Sequence, residues 1–294
     1  MLHKISLLLN TLHGYFQKFL IDVGVYNAPS LNTSNGVDVV VSLTSYGRRV
    51  SSNIVYYTIV SILRQTIQPH RIILWLAEEE WNEEILPTKI SSLKRKGVEI
   101  RYCKDIRSYK KLIPTLMLCP DSCIVTADDD MIYSKNWLEC IINGHKDYPN
   151  DIICLNSSCP QIKNGIPVNY QLWKDYPNET SSKLIFPVGV GGTLYPAGAL
   201  HRDVVDSELF LKLCPIADDI WFWFCGLRNG TNKRYIIKNN RDTSFDRLYQ
   251  TIHVGSALTH SNKFEHQNDK QFRDLFNYYK VRLTDNGDLI GCES

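Results

Sequence analysis

Four β-branched runs separated by segments of helical period constrain this chain more than any other feature. Val37-Asp38-Val39-Val40-Val41-Ser42-Leu43, Arg71–Leu76, Val98–Tyr102 and Cys123–Ala127 read as strands. Between the first two, Ser52–Gln65 carries Ile54, Val55, Ile59, Ile62 and Leu63 at helical spacing and stops before Pro69. Leu86–Lys96 reads as a second helix with Gly97 as its C-terminal stop, and Tyr109–Leu118 as a short third ended by Pro120. Strands that alternate with helices in this way predict βαβ units, hence a mostly parallel α/β sheet covered on both faces. Ligands of such sheets bind at the carboxyl ends of the strands. After residue 151 the pattern loosens into short strands and Gly/Pro turns, and Gln267–Lys280 closes with a helical segment.

The 294 residues hold 33 Lys+Arg and 31 Asp+Glu, a net charge of +2 that gives no reason to expect nucleic acid as a partner. Nine cysteines, an odd number without a Cys-x-x-Cys pair, read as free thiols in a reducing, cytoplasmic setting. No run of apolar residues is long enough to predict a transmembrane helix. Met1–Gly24 has Leu8, Leu9, Leu12, Tyr15, Phe16 and Leu20 at helical spacing with Lys4 and Lys18 interspersed. Such a helix lies peripherally on a membrane surface or packs on its own domain or on a second subunit. Its core is too short and broken for a signal peptide. A turn-forming linker, Asn27–Gly36, follows. The expected organisation is therefore an N-terminal helix and linker over 1–35 and a single catalytic domain over 36–294, divided into halves at 36–130 and 131–294.

Two features fall at strand ends. Asp128-Asp129-Asp130 follows the fourth strand, where adjacent carboxylates need a compensating cation as they lose water. In an extended chain Asp128 and Asp130 share one face and Asp129 takes the other. Mg²⁺ or Mn²⁺ suits such a pair, being hard ions that prefer oxygen and keep positions for phosphate and water. Thr44-Ser45-Tyr46-Gly47-Arg48-Arg49 follows the first strand. There Tyr46 can stack on a base, Thr44 can hydrogen-bond to a base or ribose, and Arg48 and Arg49 can pair with phosphate or carboxylate. Neither a Gly-x-Gly-x-x-Gly turn nor a P-loop is present.

Three further sets carry chemistry. Lys110 and Lys111 precede a short helix and can reach a diphosphate or stand as a solvated pair. Asp218-Asp219 opens the apolar, aromatic run Ile220-Trp221-Phe222-Trp223, either as a helix-capping pair or as a general base, since an acceptor hydroxyl is a poor nucleophile until a base removes its proton. Gly189, Gly191, Gly192 and Gly198 cluster between these motifs and permit close backbone approach. Trp221 and Trp223 suit either sugar stacking or core packing.

Val40-Val41-Ser42-Leu43-Thr44-Ser45-Tyr46, Thr58–Thr66 with its Ser-Ile-Leu-Arg-Gln-Thr end, and Ile124-Val125-Thr126-Ala127-Asp128-Asp129-Asp130 together resemble the GT-A glycosyltransferases, nearest the family 2-like group of bacterial polysaccharide enzymes. The resemblance covers about residues 37 to 260, and is more specific in the first half. It implies a nucleotide-diphosphate sugar donor, with UDP favoured, and a glycan or lipid-linked oligosaccharide acceptor in surface polysaccharide biosynthesis. It implies Mn²⁺ or Mg²⁺ held by Asp128 and Asp130 in the place of the Asp-x-Asp motif, with His253 or His260 as a late ligand. Donor binding then falls to Thr44, Tyr46, Arg48, Arg49, Lys110, Lys111, Asp128 and Asp129. The Asp that often reads the base after the second strand is missing, so Glu78 or Asp105 would replace it. Asp219, with Asp218 as alternate, corresponds to the base of inverting enzymes, and a retaining course stays open. Gly191, Gly192, Tyr195 and Trp221 fall in the donor-sugar and acceptor pocket. The same aspartates would also serve a nucleotidyltransferase, although its Gly-rich basic loop is absent. A carbohydrate-binding protein without activity would not need both acidic clusters.

Overall fold

The computed structural model describes residues 14–24, 26–32, 37–176, 180–236, 245–247 (backbone only) and 267–291. Helix α1 covers 14–22. Then follow β1 (Val37–Thr44), α2 (Gly47–Ser51), α3 (Ile54–Leu63), β2 (Pro69–Ala77), α4 (Thr88–Ser91), β3 (Glu99–Cys103), α5 (Ile113–Leu118), β4 (Cys123–Ala127), β5 (Met131–Tyr133) and α6 (Trp137–Asp147). The second half contains β6 (Ile152–Cys154), β7 (Ser157–Ser158), β8 (Gln161–Lys163), β9 (Ile166–Val168), β10 (Phe186–Pro187), β11 (Thr193–Tyr195), α7 (Ser207–Leu213), α8 (Asp218–Arg228), β12 (Lys233–Tyr235), β13 (Phe245–Arg247), α9 (Gln267–Tyr278), β14 (Val281–Leu283) and β15 (Leu289–Gly291).

Seven strands form the central sheet in the order β12-β6-β11-β4-β1-β2-β3. Every neighbouring pair is parallel except those of β11, which runs opposite to both β4 and β6. The chain is thus an α/β protein with a mostly parallel sheet flanked by helices, as its alternation predicts. Period-two alternation divides the buried side chains between the faces. Val39, Val41 and Leu43 join Leu74, Leu76 and Val125 in the core under α3 and α6. Val40 joins Ile73, Trp75 and Cys119 on the other side, where Ser42 Oγ and Trp75 Nε1 each lie 2.7 Å from Thr115 Oγ1 of α5.

All four strands of the first half fall where the sequence places them, and two helices are shorter. Leu86–Lys96 is α4 followed by a 3₁₀ turn over Ser92–Lys96. Tyr109–Leu118 is divided into a 3₁₀ turn over Arg107–Lys111 and α5. Pro114 sits in the first turn of α5, where its missing N–H costs nothing, so the helix restarts there instead of running through.

Gln65 locks α3 to α6. Its Nε2 donates to Ser61 O at 3.0 Å and Ser134 O at 2.7 Å, and its Oε1 accepts from Leu138 N–H. The described part of the N-terminal segment packs on the same core through Ile21, Tyr26, Ala28 and Leu31. Asp22 anchors it, accepting from Tyr57 Oη at 2.8 Å and pairing with Lys18 and Lys89 at 2.6 and 2.7 Å. Tyr15, Phe16 and Phe19 line the exposed face of α1, and Val23 just beyond its end is exposed too. Among the described residues no helix is long and apolar enough to cross a membrane. The eight cysteines described are free thiols.

Candidate active site

Register puts the site together. Leu43 of β1 pairs with Ala127 of β4, so the loops leaving the two strands emerge side by side. The chain turns at once after β4, and this turn corrects the expectation of an extended Asp128-Asp129-Asp130 with alternating faces. Asp129 and Asp130 both meet Arg49, which pairs with Asp129 and lies 3.2 Å from Asp130. Ser45 Oγ donates to Asp129 Oδ2 at 2.5 Å, and Thr58 Oγ1 donates to the Asp129 carbonyl at 2.8 Å. Burial alone would weaken the Arg49 charge, but the two carboxylates outweigh it and hold the guanidinium protonated. Arg49 is therefore a structural counter-ion of the aspartates, and its planar fork is spent on carboxylate rather than on phosphate. Its guanidinium also lies 5.3 Å from the ring centre of Tyr46, which is exposed.

Asp128 stands apart from that cluster. Its N–H donates to Tyr133 Oη at 2.9 Å, and its Oδ2 is buried with no hydrogen-bond partner among the described residues. Burial first, then the negative charges of Asp130, Asp219 and Asp129, lift its carboxyl to about 7, against the pull of the Lys111 ammonium.

The second half supplies the other wall. α8 is clamped by aromatic packing. Tyr109 stacks on Phe210 with ring centres 4.0 Å apart, meets Phe222 edge-on at 5.6 Å, and donates from Oη to Cys214 O at 2.6 Å. On the far side Trp223 meets Phe272 of α9 at 5.8 Å. This clamp fixes the 3₁₀ turn carrying Lys110 and Lys111 against the first turn of α8. Neither lysine is a solvated surface residue. Lys110 is buried and pairs with Asp105. Lys111 Nζ lies 2.7 Å from Asp218 Oδ2 and 3.8 Å from Asp219 Oδ1.

Asp219 also accepts from Gly189 N–H at 3.0 Å. Burial first, and then Asp218, raise its carboxyl to about 6, against the lowering influence of Lys111 and the Gly189 N–H. Neither aspartate is the N-cap residue itself, although both stand where the helix dipole favours negative charge. Ala217 holds the cap position and receives no side-chain cap bond, while Asp218 and Asp219 lie in the first turn.

Other residues singled out in the sequence are placed as follows. Thr44 Oγ1 is occupied by Trp75 O at 2.9 Å, and Arg48 is exposed on α2. Glu78 stands exposed just beyond β2. Its backbone N–H donates to Cys103 O at 3.0 Å and ties the end of β2 to the end of β3. Asp105 accepts from Arg107 N–H at 2.9 Å and pairs with the buried Lys110, which commits Lys110 to that pair while the Asp105 carboxylate itself stays exposed. Gly191 and Gly192 have φ of +99° and +102°, and Trp137 fills the space where a Gly192 side chain would stand, its Nε1 donating to Gly191 O at 2.7 Å. These two glycines therefore shape the wall from behind rather than touching a sugar. Tyr195 is buried in β11 beside Phe222. Trp221 is a correction: it is fully buried, its Nε1 donates to Val204 O at 3.1 Å, and it has no face to offer a sugar. Trp223 is likewise core. His253 and His260 lie outside the described residues.

Sequence reasoning missed Ser45, Thr58, Tyr133 and the particular role of Gly189. Ser45 and Gly189 lie in segments already marked by their motifs. Thr58 and Tyr133 carry no local signal, because only the packing of α3 and β5 against the Asp128–Asp130 turn brings them there.

No protein-family model matches the chain, and no curated protein matches it in sequence. Among solved structures it is similar to S. aureus TarS. TarS 1-349 in complex with UDP aligns at 11% identity with a TM-score of 0.41, over 69% of this chain and 58% of that one. TarS itself aligns at 12% and 0.44 over 69% and 35%, and TarS 1-349 in complex with UDP-GlcNAc at 12% and 0.44 over 69% and 56%. The chain covers less than two thirds of the length of each of these structures.

Proposed function

We propose that this chain is a metal-dependent glycosyltransferase that moves a sugar from a nucleotide-diphosphate donor, UDP-sugar favoured, to a hydroxyl of a glycan or lipid-linked acceptor. One observation carries the reading: Asp219, at the start of α8, lies 3.8 Å from the buried ammonium of Lys111, whose charge also acts on Asp128 at the end of β4. A donor-side carboxylate and a candidate base thus share one site, at the carboxyl end of β4 where ligands of parallel sheets bind.

The residues present fit a divalent cation. Asp128 Oδ2 is a buried oxygen without a hydrogen bond, which a hard cation relieves. Among the described residues no three His, Cys, Asp or Glu side chains converge on one point. Two carboxylates suffice where phosphate oxygens and water complete the shell, as is usual for Mg²⁺. Asp128 would hold the ion, joined by Asp130 only where that carboxylate is shared with or released from Arg49, and the ion would supply neutralising charge for the departing diphosphate. Asp129, tied to Ser45 and Arg49, keeps the turn in place.

Asp219 performs the proton step. Its carboxylate takes the proton of the acceptor hydroxyl as the oxygen attacks the anomeric carbon and the bond to the diphosphate breaks. A carboxyl near 6 is ionised at neutral pH and is still basic enough to accept that proton. Direct attack from the side opposite the diphosphate inverts the anomeric centre.

The test combines binding and turnover. Wild type should show stabilisation by UDP in the presence of Mn²⁺ that EDTA abolishes, by about 2.7 kcal/mol at a hundred times Kd. Asp128→Asn should lose that metal-dependent shift. Asp219→Asn should keep it while transfer falls by roughly 10²–10⁴. If no nucleoside diphosphate stabilises the wild type, the donor assignment is wrong; if Asp219→Asn transfers normally, the base assignment is wrong.

A further inference from the structure

We propose that Lys111 is a positioning residue of the reaction put forward above: its buried ammonium bridges Asp218 and Asp219 and holds the Asp219 carboxylate ionised and aligned for the acceptor hydroxyl. This rests on the reading of Asp219 as base. It assigns Lys111 to the base, and removes it from the phosphate-binding set.

The geometry is specific. The Lys111 side chain is 11% exposed, and its Nζ is 2.7 Å from Asp218 and 3.8 Å from Asp219. Gly189 leaves room for the arrangement, since a Cβ there would stand 3.0 Å from Lys111 Nζ and 2.7 Å from Asp219 Oδ1. A buried lysine tends to lose its proton, but Asp218, Asp219 and Asp128 together keep this one charged. Two carboxylates adjacent in the first turn of α8 repel each other, and the ammonium neutralises that repulsion.

Among the described residues, several groups matter to the charge of Asp219. Asp218 lies beside it on α8, Lys111 reaches it from the 3₁₀ turn, and the Gly189 N–H donates from the opposite loop. Asp128 from the β4 end, Tyr195 from β11, and Tyr109 and Tyr170 also act on it. Among these side chains, Lys111 is the one that carries a positive charge. Its removal leaves Asp219 with burial and negative neighbours, opposed among the described groups by the Gly189 N–H.

The experiment compares wild type with Lys111→Met and Lys111→Arg. The acid limb of the kcat–pH profile should move up by about one pH unit or more in Lys111→Met and return toward wild type in Lys111→Arg. UDP affinity in the presence of Mn²⁺, read by calorimetry, should change by less than about threefold. An unmoved acid limb overturns the proposal, and so does a loss of UDP affinity equal to the loss of kcat, which would make Lys111 a phosphate ligand. A ¹³C-detected titration of the Asp219 carboxyl in the same proteins needs neither donor nor acceptor. It should show the same upward move, and no move there overturns the proposal, whereas absence of transfer by wild type overturns the transferase reading alone. If Lys111→Met fails to fold, Asp218→Asn gives the opposite sign: removing the neighbouring negative charge should lower the Asp219 titration, and no change overturns the proposal.

Discussion

The backbone N–H of Gly189 donates to Asp219 Oδ2 at 3.0 Å, and a methyl group on that glycine would stand 2.7 Å from Asp219 Oδ1. Loop and helix therefore meet at a contact that only a hydrogen side chain permits. Gly189→Ala should displace Asp219 or Lys111 by a fraction of an ångström. Misplacement of a reacting group on this scale costs on the order of 10²-fold in rate. Steady-state kinetics should show the loss in kcat, with UDP affinity retained; a variant with wild-type turnover would show that Asp219 does not need this alignment.

Arg49 neutralises Asp129 and Asp130 inside the fold. Removing one partner of a buried ion pair costs about 3–5 kcal/mol, because a charge is left uncompensated. Arg49→Met should lower the urea midpoint accordingly. Arg49→Met combined with Asp129→Asn should recover part of the loss, since the orphaned charge goes with it. Additive losses in that double variant would contradict the pairing.

Lys233 is fully buried in β12, its Nζ donating to Lys183 O at 3.1 Å. Burial, aided by the Lys183 charge, takes its pKa from 10.5 down to about 7. The unfolded chain therefore binds more protons than the fold between these two values, and this group makes stability rise with pH across that window. Below about 7 its destabilising effect is complete. Lys233→Met should stabilise the fold near pH 7 by about 1–3 kcal/mol. The advantage should shrink as pH rises toward 10, which melting curves at several pH values would read. An advantage independent of pH would place the effect in packing instead.

Asp22 holds α1 to the domain through Lys18, Lys89 and Tyr57. Burial would raise its carboxyl, but these donors overcome it and hold it at about 2, below the ordinary 3.8. The stabilisation is thus present above about pH 4 and is lost as pH falls toward 2. Asp22→Asn should cost about 0.5–1 kcal/mol at neutral pH, the discount reflecting solvent around the pair. Proteolysis near residue 24 should accelerate in the variant, and unchanged cleavage would show that the apolar contacts of Ile21 suffice.

Much of the first half was legible because its signals are local. Val37–Thr44 and Cys123–Ala127 are β-branched or apolar almost without interruption, which strands buried on both faces require. Asp128–Asp130 and Asp218-Asp219 stood out because acidic clusters beside apolar runs need a partner. The roles within those clusters were not legible. Asp129 and Asp130 face Arg49 because the chain turns after β4, and one turn overrides the alternation of an extended strand. Lys110 and Lys111 look alike in sequence, yet one pairs with Asp105 and the other with Asp218. Trp221, promising as a sugar platform, faces the core because α8 is buried along nearly its whole length.

Element order, sheet type and the two acidic clusters were thus determined by the sequence itself, through periodicities and propensities acting over a few residues. The partner of each charge was decided only by the tertiary structure. Coulomb energy depends on distance and desolvation, and the distances between Lys111, Asp128 and Asp219 arise from the packing of segments far apart in the chain.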